Sequence, residues 1–175
     1  MERRCVFFDR DGVVNQSPGP GYVLRPEDFH LSEGIADAIC WLKERDWLVI
    51  LVTSQKGVGK GLMTSEDLAA IHRKMQDELA GADAELDAIY AYTGEPDCPH
   101  QPKPAPEMIL SAAESFGIDL RQSWLVGDAD RDIEMGRAAD LAGTIRIVSD
   151  KPVGIPADHT LESVSALKPL FEKVL

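Results

Sequence analysis

The sequence predicts a doubly wound α/β domain: a Rossmann-like parallel sheet of about five strands with helices on both faces. Three observations lead there. Short, almost wholly apolar runs stand at residues 6–8, 48–52, 123–127 and 143–148, as buried parallel strands do. Between them lie segments whose apolar residues recur at helical spacing. Polar groups then stand just beyond three of the runs: Asp9 with Asp11, Thr53, and Asp128. In open parallel sheets, chemistry sits outside the carboxyl ends of the strands.

Taken in order, the first run stops at Asp9, and Asp11 and Gly12 follow after one residue. Two carboxylates so close repel each other unless a cation or a shared proton lies between them. Residues 16–33 contain Pro18, Gly19, Pro20, Gly21 and Pro26, which sustain neither a helix nor a central strand. So long a loop is expected to wall one side of a site. Ser32 is expected to cap the next helix, with Ile35, Ala38, Ile39 and Leu42 on its buried face. The second strand ends in Thr53-Ser54-Gln55 and so carries a hydroxyl at its tip.

Lys56-Gly57-Val58-Gly59-Lys60-Gly61 does not fit a nucleotide phosphate loop. Ser54 holds the place of the first glycine, and Gly61 that of the hydroxyl. It reads as a basic, flexible turn. Thr64 and Asp67 suggest a capping box for a helix buried along Leu68, Ile71, Met75 and Leu79, with His72 a packed residue beside that stripe. A weaker third strand spans 87–92. A second proline-rich loop, 94–106, carries Cys98-Pro99-His100 and then Lys103-Pro104, with Lys103 at a helix start. Met108, Ile109, Ala112, Ala113 and Phe116 mark that helix face, and Gly117 ends it. The fourth strand runs into Asp128, Asp130 and Asp132, and a short helix is expected over 133–139. After the fifth strand, 150–159 is irregular, with room for an edge strand at 159–161. Thr160 or Ser163 starts a last helix that turns Val164, Leu167, Leu170, Phe171 and Val174 inward.

Composition sets the outer limits. At 175 residues the chain reads as one domain, 1–175. Its 18 Lys and Arg against 30 Asp and Glu give a formal charge of −12. That balance argues against nucleic acid and anionic membrane as partners, but not against a small anionic substrate met by a local cation. Three scattered cysteines make no disulfide framework, and no apolar run suits a membrane span or a signal peptide. A cytoplasmic protein is expected, either a monomer or a homo-oligomer.

Several carboxylates converging with a hydroxyl and a lysine need a hard cation. Mg²⁺ takes carboxylate and water oxygens, with substrate phosphate completing its shell. A metal, a lysine and a carboxylate nucleophile suit phosphoryl transfer. The set resembles the haloacid dehalogenase superfamily of phosphatases. Four motifs match in order: Asp9-Arg10-Asp11-Gly12-Val13, Thr53, Lys103-Pro104, and Gly127-Asp128 with Asp132. Within it, Phe8-Asp9-Arg10-Asp11-Gly12-Val13-Val14-Asn15, Thr53-Ser54-Gln55 and Cys98-Pro99-His100 resemble the capless group containing heptose-bisphosphate and histidinol-phosphate phosphatases.

The resemblance implies that Asp9 is the nucleophile and Asp11 the general acid/base. It implies Mg²⁺ held by Asp9, Asp128 and the carbonyl of Asp11, with Asp132 in support. Thr53 and Lys103 would bind the phosphoryl group, and Ser54, Gln55 and Lys56 line up as further substrate contacts. The chain departs from that group where Gln101-Pro102 follow His100. The second cysteine pair of a zinc loop is missing, so zinc on Cys98 and His100 is not expected. Pro102 replaces an arginine, and Ser54 an asparagine. The expected function is a Mg²⁺-dependent phosphatase of a small phosphorylated metabolite, a sugar phosphate such as heptose 1,7-bisphosphate, with histidinol phosphate as an alternative substrate. From other classes, a receiver-like phosphoacceptor and a non-catalytic binding protein are the competing readings.

Overall fold

The computed structural model describes residues 2–175. Its elements are β1 (Cys5–Phe8), α1 (Ile35–Lys43), β2 (Leu48–Ser54), α2 (Ser65–Ala80), β3 (Ala88–Tyr92), α3 (Glu107–Phe116), β4 (Trp124–Gly127), α4 (Asp130–Ala138), β5 (Gly143–Ile147), β6 (His159–Leu161) and α5 (Leu167–Val174). The strands form one sheet of 6 in the order β3-β2-β1-β4-β5-β6. Every neighbouring pair is parallel. The sixth strand is the short segment at 159–161, one more than the five main runs indicate.

Alternation along the strands divides the core between two faces, since successive side chains point to opposite sides. Val6, Phe8, Val49, Leu51 and Val126 pack under α1, α2 and α5. Cys5, Phe7, Ile50, Val52 and Leu125 pack under α3 and α4. Phe7 and Phe8 are wholly buried, one to each face, and each contributes about 2–3 kcal/mol of apolar burial. This is why β1 reads as a continuous apolar run and lies at the centre of the sheet. The chain moves outward through β2 and β3, then returns to β4 on the other side of β1. The strand order reverses there, which opens a crevice between β1 and β4.

Several local expectations change. Ser32 does not cap α1 with its side chain. The cap is Gly34, at φ 83°, and a Cβ there would run into the Cα of Ser165. The close pass of the segment before α5 thus imposes glycine and a left-handed turn. The Thr64–Asp67 capping box is formed, Asp67 N–H donating to Thr64 Oγ1 at 3.1 Å and Thr64 N–H to Asp67 Oδ2 at 2.8 Å. Helix α3 starts at Glu107 rather than Lys103, because Pro104 and Pro106 hold the residues before them out of helical geometry. Helix α4 starts at Asp130, earlier than expected, which puts Asp132 in its first turn. Thr160 belongs to β6, and α5 begins only at Leu167, with Pro169 in its first turn, where proline is tolerated.

Candidate active site

The carboxyl ends of β1, β2 and β4 bring the predicted side chains together. Asp9 follows β1, and its backbone N–H donates to Val126 O of β4 at 2.9 Å. Asp128 follows β4. Asp9, Asp128 and Asp132 are all buried, and each offers a carboxylate oxygen within 4.8 Å of the others. Two glycines make this density possible. A Cβ at Gly12, whose φ is 85°, would strike the Asp128 carboxylate, and one at Gly127 would strike the Asp132 side chain.

Lys103 reaches this cluster from the loop before α3. Its buried Nζ donates to Asp9 Oδ1 and to Asp132 Oδ1, both at 2.7 Å. The other Asp132 oxygen, Oδ2, accepts the N–H groups of Asp128 (3.2 Å) and Ala129 (3.1 Å). Both Asp132 oxygens are therefore engaged, one by Lys103 and one by the backbone. Burial opposes the charge on Asp132, but Lys103 outweighs it and holds the carboxyl below the usual range. For Lys103, burial is outweighed by Asp132 and Asp9, which hold the ammonium above its ordinary range. Asp9 is the loser in this competition. Burial and the neighbouring Asp132 push it up to about 7, against the pull of Lys103.

Asp11 faces the β2 side. Its Oδ1 accepts Asn15 Nδ2 at 3.0 Å and Arg10 Nη2 at 3.1 Å, and its Oδ2 accepts Gln55 Nε2 at 3.0 Å. Burial raises its pKa, but Arg10 and the Asn15 and Gln55 amides prevail and set it below the ordinary value. The Gln55 amide also donates to Thr53 Oγ1 at 2.8 Å. Gln55 thus ties the two predicted groups together, and it is wholly buried. Ser54 Oγ is buried without a hydrogen-bond partner among the described residues. Lys56 lies partly exposed at the start of the glycine-rich turn.

Sequence reasoning missed three side chains. Arg10 is fully buried, lies against Phe29 and donates to His72 Nε2 at 3.1 Å. Burial and the Arg10 guanidinium push the His72 pKa down to about 3, so the imidazole is a neutral acceptor. Asn15 lies in the first motif, but nothing in the sequence marks its hydrogen bond to Asp11. Lys151, whose Nζ meets Asp128, lies in the irregular stretch and carries no local signal. Cys98 and His100 stand apart from the carboxylates: His100 packs edge-on against Tyr90, with Nδ1 3.7 Å from Glu107. Size does not locate the site. A hollow of about 610 Å³ lies at the opposite ends of β1–β3, lined by Arg3, Arg4, Lys43 and Asp87 among others.

A family model described as haloacid dehalogenase-like hydrolase matches residues 20–140. The chain belongs to that family, among its phosphatases. It is 33% identical over 181 residues to the D-glycero-beta-D-manno-heptose-1,7-bisphosphate 7-phosphatase of Yersinia pestis, covering 93% of this chain and 92% of that one. With the Rhodopseudomonas palustris enzyme of the same name it shares 35% over 150 residues, covering 81% and 82%. The crystal structure of D,D-heptose 1,7-bisphosphate phosphatase from B. bronchiseptica, complexed with magnesium and phosphate, superposes with a TM-score of 0.82. That pair is 29% identical over 97% of this chain and 98% of the other. No helix among the described residues is long and apolar enough to cross a membrane.

Proposed function

We propose that this chain is a Mg²⁺-dependent phosphatase acting in the cytoplasm as a single domain. Its substrate is a phosphorylated sugar of the heptose 1,7-bisphosphate type, hydrolysed through a phospho-aspartate on Asp9. The observation that carries the reading is the buried cluster at the strand-order reversal: Lys103 2.7 Å from both Asp9 and Asp132, with Asp128 opposite and Asp11 two residues beyond Asp9. The relatives' names support the substrate class.

The donor set fits a hard divalent cation. Its free lone pairs are all carboxylate or carbonyl oxygens, with no thiolate or imidazole in the cluster. Asp9, Asp128 and the Asp11 carbonyl would hold the ion. Bound Mg²⁺ would neutralise charge developing on the phosphoryl oxygens. Asp9 attacks phosphorus, the P–O bond to the sugar breaks, and the leaving oxygen takes a proton from Asp11. Water then attacks the phospho-aspartate, giving its proton to Asp11 and releasing phosphate and free Asp9. The three donors on Asp11 favour its carboxylate, the form that accepts the water's proton. An arriving phosphate dianion supplies the like charge that favours its acid form. Lys103 and Thr53 hold phosphoryl oxygens, and the unpaired Ser54 hydroxyl adds a donor on the same edge. Asp11 beside the nucleophile favours hydrolysis over a long-lived phosphoacceptor.

The test is phosphate release in Mg²⁺ from heptose 1,7-bisphosphate, histidinol phosphate and other sugar phosphates, with Asp9→Asn as control. Turnover of one sugar phosphate well above the rest, lost in a variant that still unfolds cooperatively, is expected. Equal release by wild type and variant would overturn the mechanism. A preference for histidinol phosphate would overturn the substrate class.

A further inference from the structure

The Asp128 carboxylate has a partner that the four motifs do not include. Lys151, on the segment after β5, places its Nζ 2.8 Å from both Oδ1 and Oδ2 of Asp128. The Asp128 side chain is fully buried, whereas that of Lys151 is 33% exposed. The segment is fastened so as to present this lysine. The Asp130 carboxylate accepts the N–H groups of Gly154 and Ile155 and is paired with the buried Arg146, which also donates to Ile155 O at 3.0 Å. The Lys151 N–H reaches Ser149 Oγ at 3.2 Å. Held at both ends, the ammonium is part of the site rather than a stray surface charge.

The other oxygens of the cluster are largely spent. Both Asp132 oxygens are engaged, and Asp9 Oδ1 belongs to Lys103. Asp9 Oδ2 and the Asp128 carboxylate are therefore the carboxylate oxygens left for a divalent ion, and Lys151 sits on both oxygens of Asp128. An ammonium placed there and a Mg²⁺ on the same carboxylate repel each other as like charges. We propose that Lys151 competes with Mg²⁺ for Asp128. The lysine balances the buried carboxylate, and metal binding displaces its ammonium and loosens segment 149–155, whose far end stays on Asp130 and Arg146. Lys103 cannot do this, because it is wedged between two carboxylates and fully buried. The inference rests on the metal-dependent reading above.

The experiment is calorimetric titration of the full chain with MgCl₂, paired with hydrogen exchange of the amides at 149–155. Lys151→Met binds Mg²⁺ about tenfold more tightly than wild type, the scale of one partly exposed charge-assisted pair. Lys151→Arg, which keeps the charge, stays close to wild type. In wild type, saturating Mg²⁺ speeds exchange at 149–155. In Lys151→Met, exchange there is already fast and does not respond to the metal. Equal affinity in wild type and Lys151→Met, or weaker binding in the variant, overturns the competition while leaving the phosphatase reading intact. No Mg²⁺ binding by wild type overturns the metal reading and this proposal with it. Lys151→Gln, checked by its melting curve, repeats the comparison should the methionine variant fold poorly.

Discussion

The two flanks of β1 hold their carboxylates in opposite ways. On the β2 side, Asp11 is gripped by Asn15, Gln55 and Arg10 at 3.0–3.1 Å. Two of these donors are neutral amides, and the third is a guanidinium. On the β4 side, Asp128 is met by one partly exposed ammonium from a loop 23 positions away. In the proposed mechanism, the first arrangement would fix the angle of the proton carrier, and the second would leave an exchangeable charge where Mg²⁺ enters. Such a site combines rigidity on one flank with exchange on the other.

The largest test separates the flanks directly. Asp11→Asn keeps the shape and removes the proton carrier, so kcat falls by about 10²–10⁴-fold, with calorimetric Mg²⁺ affinity little changed. Asp128→Asn does the reverse, weakening Mg²⁺ binding by at least about tenfold. If Asp11→Asn loses Mg²⁺ affinity as severely as Asp128→Asn, the division of labour is wrong.

Stability against pH gives a smaller effect that also changes sign between the groups. The folded pKa of Asp9, about 7, lies above its ordinary 3.8. Its contribution is therefore complete below the ordinary value and is lost as pH rises towards 7. Asp11 lies below its ordinary value, so its contribution is complete above about 4 and is lost as pH falls further. Urea unfolding without Mg²⁺ across pH 3–8 reads both. Asp9→Asn flattens the decline between about pH 4 and 7, and Asp11→Asn reduces the opposing loss below about pH 4, to which Asp132 also contributes. A decline unchanged in Asp9→Asn would remove Asp9 as its source.

What could be read from the chain follows the same division. Asp9, Asp11, Thr53, Lys103, Asp128 and Asp132 were legible because each stands at a fixed offset from an apolar run or a proline. The Thr64–Asp67 box was legible because its bonds span three residues. Ser32 misled because the left-handed turn at Gly34 is imposed by Ser165, far along the chain. Arg10 has no local signal of its own, because its partner His72 is 62 positions away. Lys151 is one lysine in an irregular stretch, and only the packing of Asp130 and Arg146 shows where that stretch returns. Contacts that close long loops leave no period or spacing to read, and the exchangeable flank is built almost wholly from them.

The smallest expected effect concerns Gln55, the brace on the rigid flank. Its Nε2 serves both Asp11 and Thr53, while its Oε1 is buried with no partner among the described residues. Gln55→Met fills similar space and removes both groups at once. Losing the amide costs two hydrogen bonds, but losing the orphaned oxygen relieves a desolvation penalty of about 1–3 kcal/mol. The net change in unfolding free energy is thus under about 1 kcal/mol. Asp11 nevertheless loses one of the donors that hold its pKa down, and Thr53 loses its tether. The acid limb of the kcat profile moves to higher pH, and kcat at neutral pH drops by about tenfold, the loss of one oriented donor. Pairing urea unfolding with a pH–rate profile decides the matter. A stable variant with a shifted limb makes Gln55 a positioning residue for Asp11. An unshifted limb with a raised KM instead means that Gln55 acts on substrate, and Arg10 and Asn15 alone keep the β2 flank rigid.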